Sequence, residues 1–210
     1  MTCETDFEDI NEAKENLDHI YNQSDPRAYF RELKKLDYVI PEVAKPIFQK
    51  LIEALQQRRE NTVQLLDLGC SYGINAALLK HDLTMDELYD HWGQKAFSNV
   101  TSDTVIARDQ RYFSSFEGPE DIGVVGFDVA ENATSYAEEV GFLDESFTVN
   151  LETELLSASA REEVASVDLV TSTGCVGYVT EKSFDRMLPA MSSGQMPWFA
   201  NFVLRMFPFE

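Results

Sequence analysis

The residues best placed for chemistry form a turn after an apolar run, in the stretch VQLLDLGCSYGIN that begins at Val63. The run itself predicts a strand buried on both faces, and Gly69 and Gly73 bracket the turn that follows it. Glycines at such a turn let a ligand come close to the backbone. Their spacing differs from G-x-G-x-x-G and no G-K-[ST] occurs, so neither a dinucleotide nor a triphosphate is favoured. We therefore expect a nucleoside ligand without a phosphate.

The elements around this turn alternate between strand and helix. Apolar runs predict strands at 63–68, 123–127, 147–149, 167–171 and 198–206, and helical spacing predicts helices at 74–80, 132–140 and 181–191. This alternation is typical of an α/β fold with a doubly wound, Rossmann-like, mostly parallel sheet flanked by helices. Ligands of such sheets bind at the carboxyl ends of the strands, where the strand order reverses. We expect residues 63–210 to form this domain, with its site at the first turn.

Two further segments flank or interrupt this domain. Residues 1–62 are expected to form an N-terminal helical segment, with helices at 5–21, at 28–36 and from Pro41 onward, and this segment could cover the site as a lid. Residues 82–122 form an insertion between the first helix and the second strand, made partly helical by a capping box of Thr84 and Glu87. A link from helix to strand returns to the amino edge of the sheet, so we expect the insertion to provide packing or a homo-oligomer surface rather than a substrate cap.

Because Glu210 follows the fifth strand directly, either the fold is minimal or the sequence is incomplete at its C-terminus.

Composition limits the partners. The formal charge of −20 disfavours nucleic acid and anionic membranes, and favours a small-molecule substrate. No apolar run is long enough to span a bilayer and the acidic N-terminus does not look like a signal peptide, so we expect a soluble, cytoplasmic protein. Cys3, Cys70 and Cys175 are widely spaced and form no C-x-x-C pair, which predicts neither disulfides nor a metal site.

Three stretches together resemble the class I S-adenosylmethionine-dependent methyltransferases. LLDLGCSYG is similar to their first motif, D/E-x-G-x-G-x-G, with Asp67, Gly69 and Gly73 in matching positions and Ser71 in place of the middle glycine. VVGFDVAENATSYAEEVG is similar to their second strand and helix, and SVDLVTSTGCVGYV to their fourth strand and the following loop. The resemblance covers residues 63–206 in the family's order, apart from the insertion, and implies S-adenosylmethionine as the cofactor.

The resemblance also implies roles for individual residues. In this family an acid at the end of the second strand binds the ribose hydroxyls, a position held here by Asp128 and followed by Val129. A carboxylate suits this role because it can accept both vicinal hydroxyls. The acid of the first motif supports the turn and the amino group of the cofactor, which implies a cofactor contact for Asp67. The turn itself is expected to line the cofactor through Gly69, Cys70, Ser71 and Gly73.

Three other segments are implied more loosely. After the third strand, Asn150 and Leu151 occupy the place where the family often positions a residue near the adenine amino group. In the loop after the fourth strand, Thr173 is expected at the cofactor, and Tyr178 is the candidate catalytic residue facing the substrate. In the N-terminal segment, Tyr29 and Arg27 are candidates to reach the cofactor carboxylate.

The resemblance implies methyl transfer to a small molecule, with two alternatives. Methyl transfer from a sulfonium depends mainly on proximity and alignment, and none of the three histidines is an obvious base. Some relatives instead use the aminocarboxypropyl end of the cofactor, transferring it or closing it into azetidine-2-carboxylate with release of methylthioadenosine, typically beneath an N-terminal helical lid. A methyltransferase-like domain that has lost activity and serves only in binding is the other alternative.

Overall fold

A parallel five-stranded sheet organises the chain, as seen in a computed structural model that describes residues 18–58, 62–116, 121–175, 178–191 and 196–203. Its strands lie in the order β3-β2-β1-β4-β5. They are β1 (Val63–Leu68), β2 (Ile122–Asp128), β3 (Glu145–Thr148), β4 (Leu169–Thr173) and β5 (Trp198–Phe202). The predicted α/β, Rossmann-like architecture is confirmed at this level.

Helices cover both faces of the sheet. The N-terminal segment contributes α1 (Asp18–Tyr21), α2 (Arg27–Lys35) and α3 (Ile40–Gln56). The insertion contributes α5 (Met85–Trp92), a 3-10 turn (Lys95–Phe97) and α6 (Ser102–Phe113). The remaining helices are α4 (Ile74–Lys80), α7 (Glu131–Glu139), α8 (Ala158–Ser166) and α9 (Glu181–Met191).

The sheet separates two hydrophobic cores. One core joins Leu65 of β1 to residues of the N-terminal segment, the insertion, α4 and α7, including Phe48 and Tyr136. The other joins Leu66 of β1 to α8 and α9, including Met187. Leu65 and Leu66 are both buried because successive side chains of a strand point to opposite faces, and both faces are covered. The strand β1 is therefore fixed at the centre of the molecule, and the turn after it is held in place.

The predicted elements agree closely with the observed ones near the centre of the sheet. The predictions for 63–68, 74–80 and 181–191 match β1, α4 and α9. Other elements differ by one or two residues: β2 and α7 begin one residue earlier than predicted, β3 begins at Glu145 instead of residue 147, and β4 begins at Leu169 instead of residue 167. The described part of β5 ends at Phe202. Helix α8 was not predicted, since its sequence ASAREEVAS buries only Ala160 and Val164 and carries a weak pattern. The predicted helix at 5–21 lies mostly outside the described residues, as do Cys3 and the chain after residue 203.

The insertion packs against the N-terminal segment. Its capping box is confirmed: the Thr84 hydroxyl accepts from the Glu87 backbone and the Glu87 carboxylate accepts from the Thr84 N–H. Helix α5 lies against α2, and Arg27 of α2 donates to the carbonyls of Phe97 and Val100 at 2.6 and 3.1 Å. Within the described residues, the insertion therefore packs against the N-terminal segment.

A buried carboxylate holds the insertion together. Asp109 of α6 has no exposed surface and lies 2.7 Å from Nε2 of His91, while it accepts from Nε1 of Trp92 at 3.0 Å. The hydroxyl of Tyr136 in α7 donates to the same carboxylate at 2.7 Å. This network ties α5 and α6 to the Rossmann-like domain.

Candidate functional site

The turn after β1 has the left-handed conformations that its glycines allow. Gly69 and Gly73 have φ of +73° and +72°, and Ser71 between them has φ of +49°. The carbonyl of Phe127 in β2 accepts from the N–H of Gly69 at 2.8 Å, which anchors the turn to the neighbouring strand. Left-handed backbone is unfavourable for a residue with a side chain, so Ser71 is held there by its surroundings.

The loop after β4 approaches this turn closely. A Cβ atom placed on Gly69 would lie only 2.6 Å from Cβ of Cys175. The Cys175 thiol donates to the Leu68 carbonyl at 3.3 Å. The strands β1 and β4 are neighbours at which the strand order reverses, so this contact lies where doubly wound sheets bind their ligands.

Asp67 lies at the end of β1, and only one of its two carboxylate oxygens has hydrogen-bond partners among the described residues. Its Oδ1 accepts from Nδ2 of Asn75 at 2.8 Å and from the hydroxyl of Thr171 at 3.1 Å. Its Oδ2 is buried and has no hydrogen-bond partner among the described residues. Burial raises the pKa of Asp67 to about 7, and the nearby carboxylate of Asp128 adds to the rise, while the bonds from Asn75 and Thr171 oppose it. An orphaned buried acceptor of this kind fits a ligand that brings a positively charged donor.

Asp128 at the end of β2 helps to build the turn. Its Oδ2 accepts from the N–H of Ser71 at 2.8 Å and its Oδ1 from the N–H of Ala130 at 2.9 Å. Each carboxylate oxygen can accept a second hydrogen bond, and the residue is partly exposed, so the group retains capacity for two hydroxyls. Val129 beside it is 63% exposed.

Two side chains distinguish this turn. The Ser71 hydroxyl is buried and has no hydrogen-bond partner among the described residues, so it is a second polar atom available to a ligand. The Tyr72 hydroxyl lies 3.0 Å from the carbonyls of Ile20 and Gln23, and it accepts from the Gln23 N–H at 2.8 Å. Tyr72 therefore joins the turn to the N-terminal segment.

The N-terminal segment places tyrosines at the turn. Tyr29 is buried and packs edge-on against Tyr72, with ring centroids 5.5 Å apart. Tyr38 points its hydroxyl at the loop after β4, 3.6 Å from the position of a Cβ on Gly174. The Tyr89 hydroxyl of the insertion donates to the Tyr38 carbonyl at 2.7 Å, so the insertion holds Tyr38 in this position.

Arg27 bonds to Asp25 and to the insertion. Its guanidinium forms a bidentate pair with Asp25 at 2.7 and 2.8 Å, and its remaining contacts are the two carbonyls of the insertion. Desolvation opposes the charge of Asp25, yet the bonds from Arg27 and Ser102 lower the pKa of its carboxyl. These bonds join the N-terminal segment to the insertion.

The remaining predicted residues divide into two groups. The Thr173 hydroxyl lies 3.1 Å from Nδ2 of Asn75, which brings it to the Asp67 cluster. Asn150 is exposed and its side chain accepts from the Glu152 N–H at 3.0 Å within its own turn, whereas Leu151 is buried in the second core. Tyr178 is 57% exposed beyond the loop after β4, of which residues 176–177 lie outside the described part of the chain.

Sequence reasoning missed Asn75, Thr171 and Tyr38. Asn75 is a buried polar residue in the first turn of α4, and an amide in an otherwise apolar helix was the available signal. Thr171 lies inside a predicted strand with nothing to mark it. Tyr38 follows Asp37, whose φ of +49° turns the chain after α2 and whose acidic side chain suits such a turn.

Comparison of the chain with protein-family models, with curated proteins and with solved structures finds no match in any of the three. Within the described residues no helix has the length and apolar character needed to cross a membrane. The same residues contain no group of three or more His, Cys, Asp or Glu side chains placed to hold a metal ion.

Proposed function

We propose that the carboxyl edge of β1, β2 and β4 binds S-adenosylmethionine, and that the chain is an S-adenosylmethionine-dependent transferase, most simply a methyltransferase of a small molecule. The observation that carries this proposal is the buried Oδ2 of Asp67, which lacks a hydrogen-bond partner among the described residues. It lies beside a glycine turn at the point where the strand order reverses. An ammonium group of the ligand would supply the missing donor.

The neighbouring residues support the same ligand. Asp128, one strand over, would accept the ribose hydroxyls while it continues to hold the Ser71 N–H. The Ser71 hydroxyl would provide a further polar contact. When bound, S-adenosylmethionine supplies a sulfonium that transfers its methyl group by in-line displacement. The protein would then contribute mainly alignment and exclusion of water.

A second candidate reaction is favoured by one observation. The pKa of Asp67 is raised by burial to about 7, so its carboxylate can take up a proton near neutral pH. Such a group suits a reaction whose nucleophile is the ligand's own amine, because an ammonium must lose a proton before it can attack. The N-terminal segment, fixed over the turn through Tyr72, would enclose such a reaction. Attack by this amine breaks the bond between sulfur and the aminocarboxypropyl chain, and the products would be azetidine-2-carboxylate and methylthioadenosine. If an added acceptor attacks the same carbon instead, the products would be the aminocarboxypropylated acceptor and methylthioadenosine.

Free thiols accord with a cytoplasmic location, which we include in the proposal. Cys70 and Cys175 are both unpaired. Burial raises the pKa of each thiol, which keeps both protonated and unreactive. A reducing compartment suits such residues.

Incubation of the protein with S-adenosylmethionine, followed by mass spectrometry of the products, tests these reactions. S-adenosylhomocysteine that forms only when an acceptor is added supports methyl transfer. Methylthioadenosine that forms without an acceptor supports cyclisation. Calorimetry that detects no binding of S-adenosylmethionine would overturn the proposal in both forms.

A further inference from the structure

A pocket separate from the carboxyl edge opens between helix α2 and the insertion. Its volume is about 670 Å³, which is within the range of small-molecule sites. Arg27, Arg31 and Lys34 of α2 line one side, and residues in the segment 93–100 line the other. The three cationic side chains share a face because they are spaced by four and three positions along the helix.

The lining of this pocket is richer in cations than the chain as a whole. Acidic residues outnumber lysine and arginine by 37 to 17 in the sequence. Three cationic side chains and only one acid, Asp25, line the pocket. A concave surface with the minority charge of the protein concentrates ligands of the opposite sign.

The floor and one side of the pocket are preorganised. Arg27 is fixed by its bidentate pair with Asp25 and by the carbonyls of Phe97 and Val100. Phe30 and Trp92, which also line the pocket, are stacked with ring centroids 4.2 Å apart. A rigid wall of this kind lowers the entropy lost when a ligand binds.

Arg31 and Lys34 can turn toward a ligand. Their present partners are Glu32 at 3.2 Å and Asp90 at 3.1 Å. The side chains of Arg31, Lys34 and Asp90 are 69%, 55% and 80% exposed, and that of Glu32 is 25% exposed. Ion pairs in which at least one partner is so open to water contribute little. An anion in the pocket would be less hydrated than the carboxylates of Glu32 and Asp90. It would therefore compete with these carboxylates for Arg31 and Lys34.

We propose that this pocket binds a small organic molecule that carries phosphate or carboxylate groups, with its anionic end on Arg31 and Lys34 and the rest of the molecule beside the edges of Phe30 and Trp92, which are 1% and 5% exposed. The proposal is independent of the reaction at the carboxyl edge. Gln23 contacts both regions, since it lines the pocket and bonds to Tyr72.

Trp92 provides a direct assay. The chain has two tryptophans, Trp92 and Trp198, so the Trp198→Phe variant leaves Trp92 as the only indole. Its fluorescence would be titrated with ATP, inorganic pyrophosphate and citrate at about 0.15 M salt, where long-range attraction is screened. We expect saturable binding of at least one of these probes. Pyrophosphate or ATP alone identifies a phosphate ligand, and citrate alone a carboxylate ligand.

Two matched double variants separate the pocket from general charge effects. Arg31→Gln with Lys34→Gln should weaken binding of that probe at least about tenfold, the scale of a lost charge-assisted hydrogen bond. Arg161→Gln with Lys50→Gln removes the same charge, one arginine and one lysine, from exposed positions outside the pocket and should change the affinity by less than about twofold. Asp128→Asn should leave the signal unchanged, which assigns it to the pocket and not to the turn after β1. Absence of saturable binding for all three probes, or an equal loss in the two double variants, would overturn the proposal.

Discussion

Nδ2 of Asn75 lies 2.8 Å from Oδ1 of Asp67 and donates to it, while Oδ2 of the same carboxyl is buried without a hydrogen-bond partner among the described residues. The amide thus satisfies one oxygen and leaves the other to a ligand. Because the carboxyl is 1% exposed, its charged form is disfavoured and its pKa rises to about 7. The charge on Asp67 therefore depends on pH near neutrality and on what is bound beside it.

The first prediction concerns stability without ligand. The pKa of Asp67 is about 7 in the folded chain and 3.8 as its ordinary value. At pH values between these two, the folded state therefore binds more protons than the unfolded state. The free energy of unfolding contributed by this group should be fully present below about pH 4 and decrease as pH rises toward 7, by at most about 1.4 kcal/mol per pH unit. In Asp67→Asn this contribution should vanish. Urea unfolding of both proteins at about pH 5 and pH 7 measures the difference, and parallel pH profiles would contradict the raised pKa.

The second prediction concerns the proton balance of binding. If an ammonium group of S-adenosylmethionine approaches Oδ2, it stabilises the charged carboxylate and lowers the pKa of Asp67. Binding at about pH 6 should then release close to one proton, and affinity should rise as pH increases toward 7. Calorimetry in two buffers of different ionisation enthalpy measures the released proton. The same titration with Asp67→Asn should show weaker binding and no release, and a release that persists in this variant would assign the proton to another group.

The third prediction compares two acids that both accept a backbone N–H. Asp128 accepts from Ser71 at the carboxyl edge, and Asp144 accepts from Val124 at 2.7 Å at the start of β3. Asp128→Ala should weaken S-adenosylmethionine binding at least about tenfold through loss of the charge-assisted bonds. Asp144→Ala should lower stability while leaving the affinity unchanged. Equal affinities for Asp128→Ala and the unaltered protein would refute the ribose role of Asp128.

Much of the sheet could be predicted because parallel strands buried on both faces are near-continuous apolar runs. The match of the run VQLLDL to β1 follows from this, as does the placement of the glycine turn. The position of Asp128 beside that turn could also be predicted from the chain order, because the first and second strands of a doubly wound sheet are neighbours. These features depend on local pattern and chain order, which a sequence displays directly.

The side-chain environment of the site depends on long-range contacts and could not be predicted in the same way. The Asn75 amide meets the Thr173 hydroxyl across 98 residues, and Arg27 meets the Val100 carbonyl across 73. For Arg27 a local signal did exist, because Asp25 stands two residues earlier and competes for the guanidinium. That Arg27 also reaches a cofactor carboxylate stays a prediction.

The fourth prediction separates two effects at Gly69. Alanine there would have an unfavourable φ of +73° and would also place its Cβ 2.6 Å from Cys175. At Gly141, where φ is +84° and nothing lies within 4 Å of a Cβ, alanine would suffer only the backbone effect. Gly141→Ala should lower the free energy of unfolding by about 1–2 kcal/mol, and Gly69→Ala by more, with a loss of S-adenosylmethionine binding as the turn and the β4 loop separate. Urea unfolding and calorimetry on both variants check this, and equal destabilisation would show that the turn can relax away from Cys175.

The fifth prediction tests whether the N-terminal segment is fastened through Tyr72. Tyr72→Phe removes the hydroxyl that bonds to Ile20 and Gln23 but keeps the ring that packs on Tyr29. Removing it leaves the Gln23 N–H unpaired, so stability should fall by roughly 1–3 kcal/mol. Hydrogen exchange at residues 20–35 should accelerate more than exchange in β1 and β2, because the segment opens locally while the sheet stays folded. Tyr112→Phe, on an exposed part of the insertion, serves as the control and should leave exchange at residues 20–35 unchanged. Uniform acceleration across the sheet in Tyr72→Phe would mean that the hydroxyl supports the whole fold and does not specifically fasten this segment.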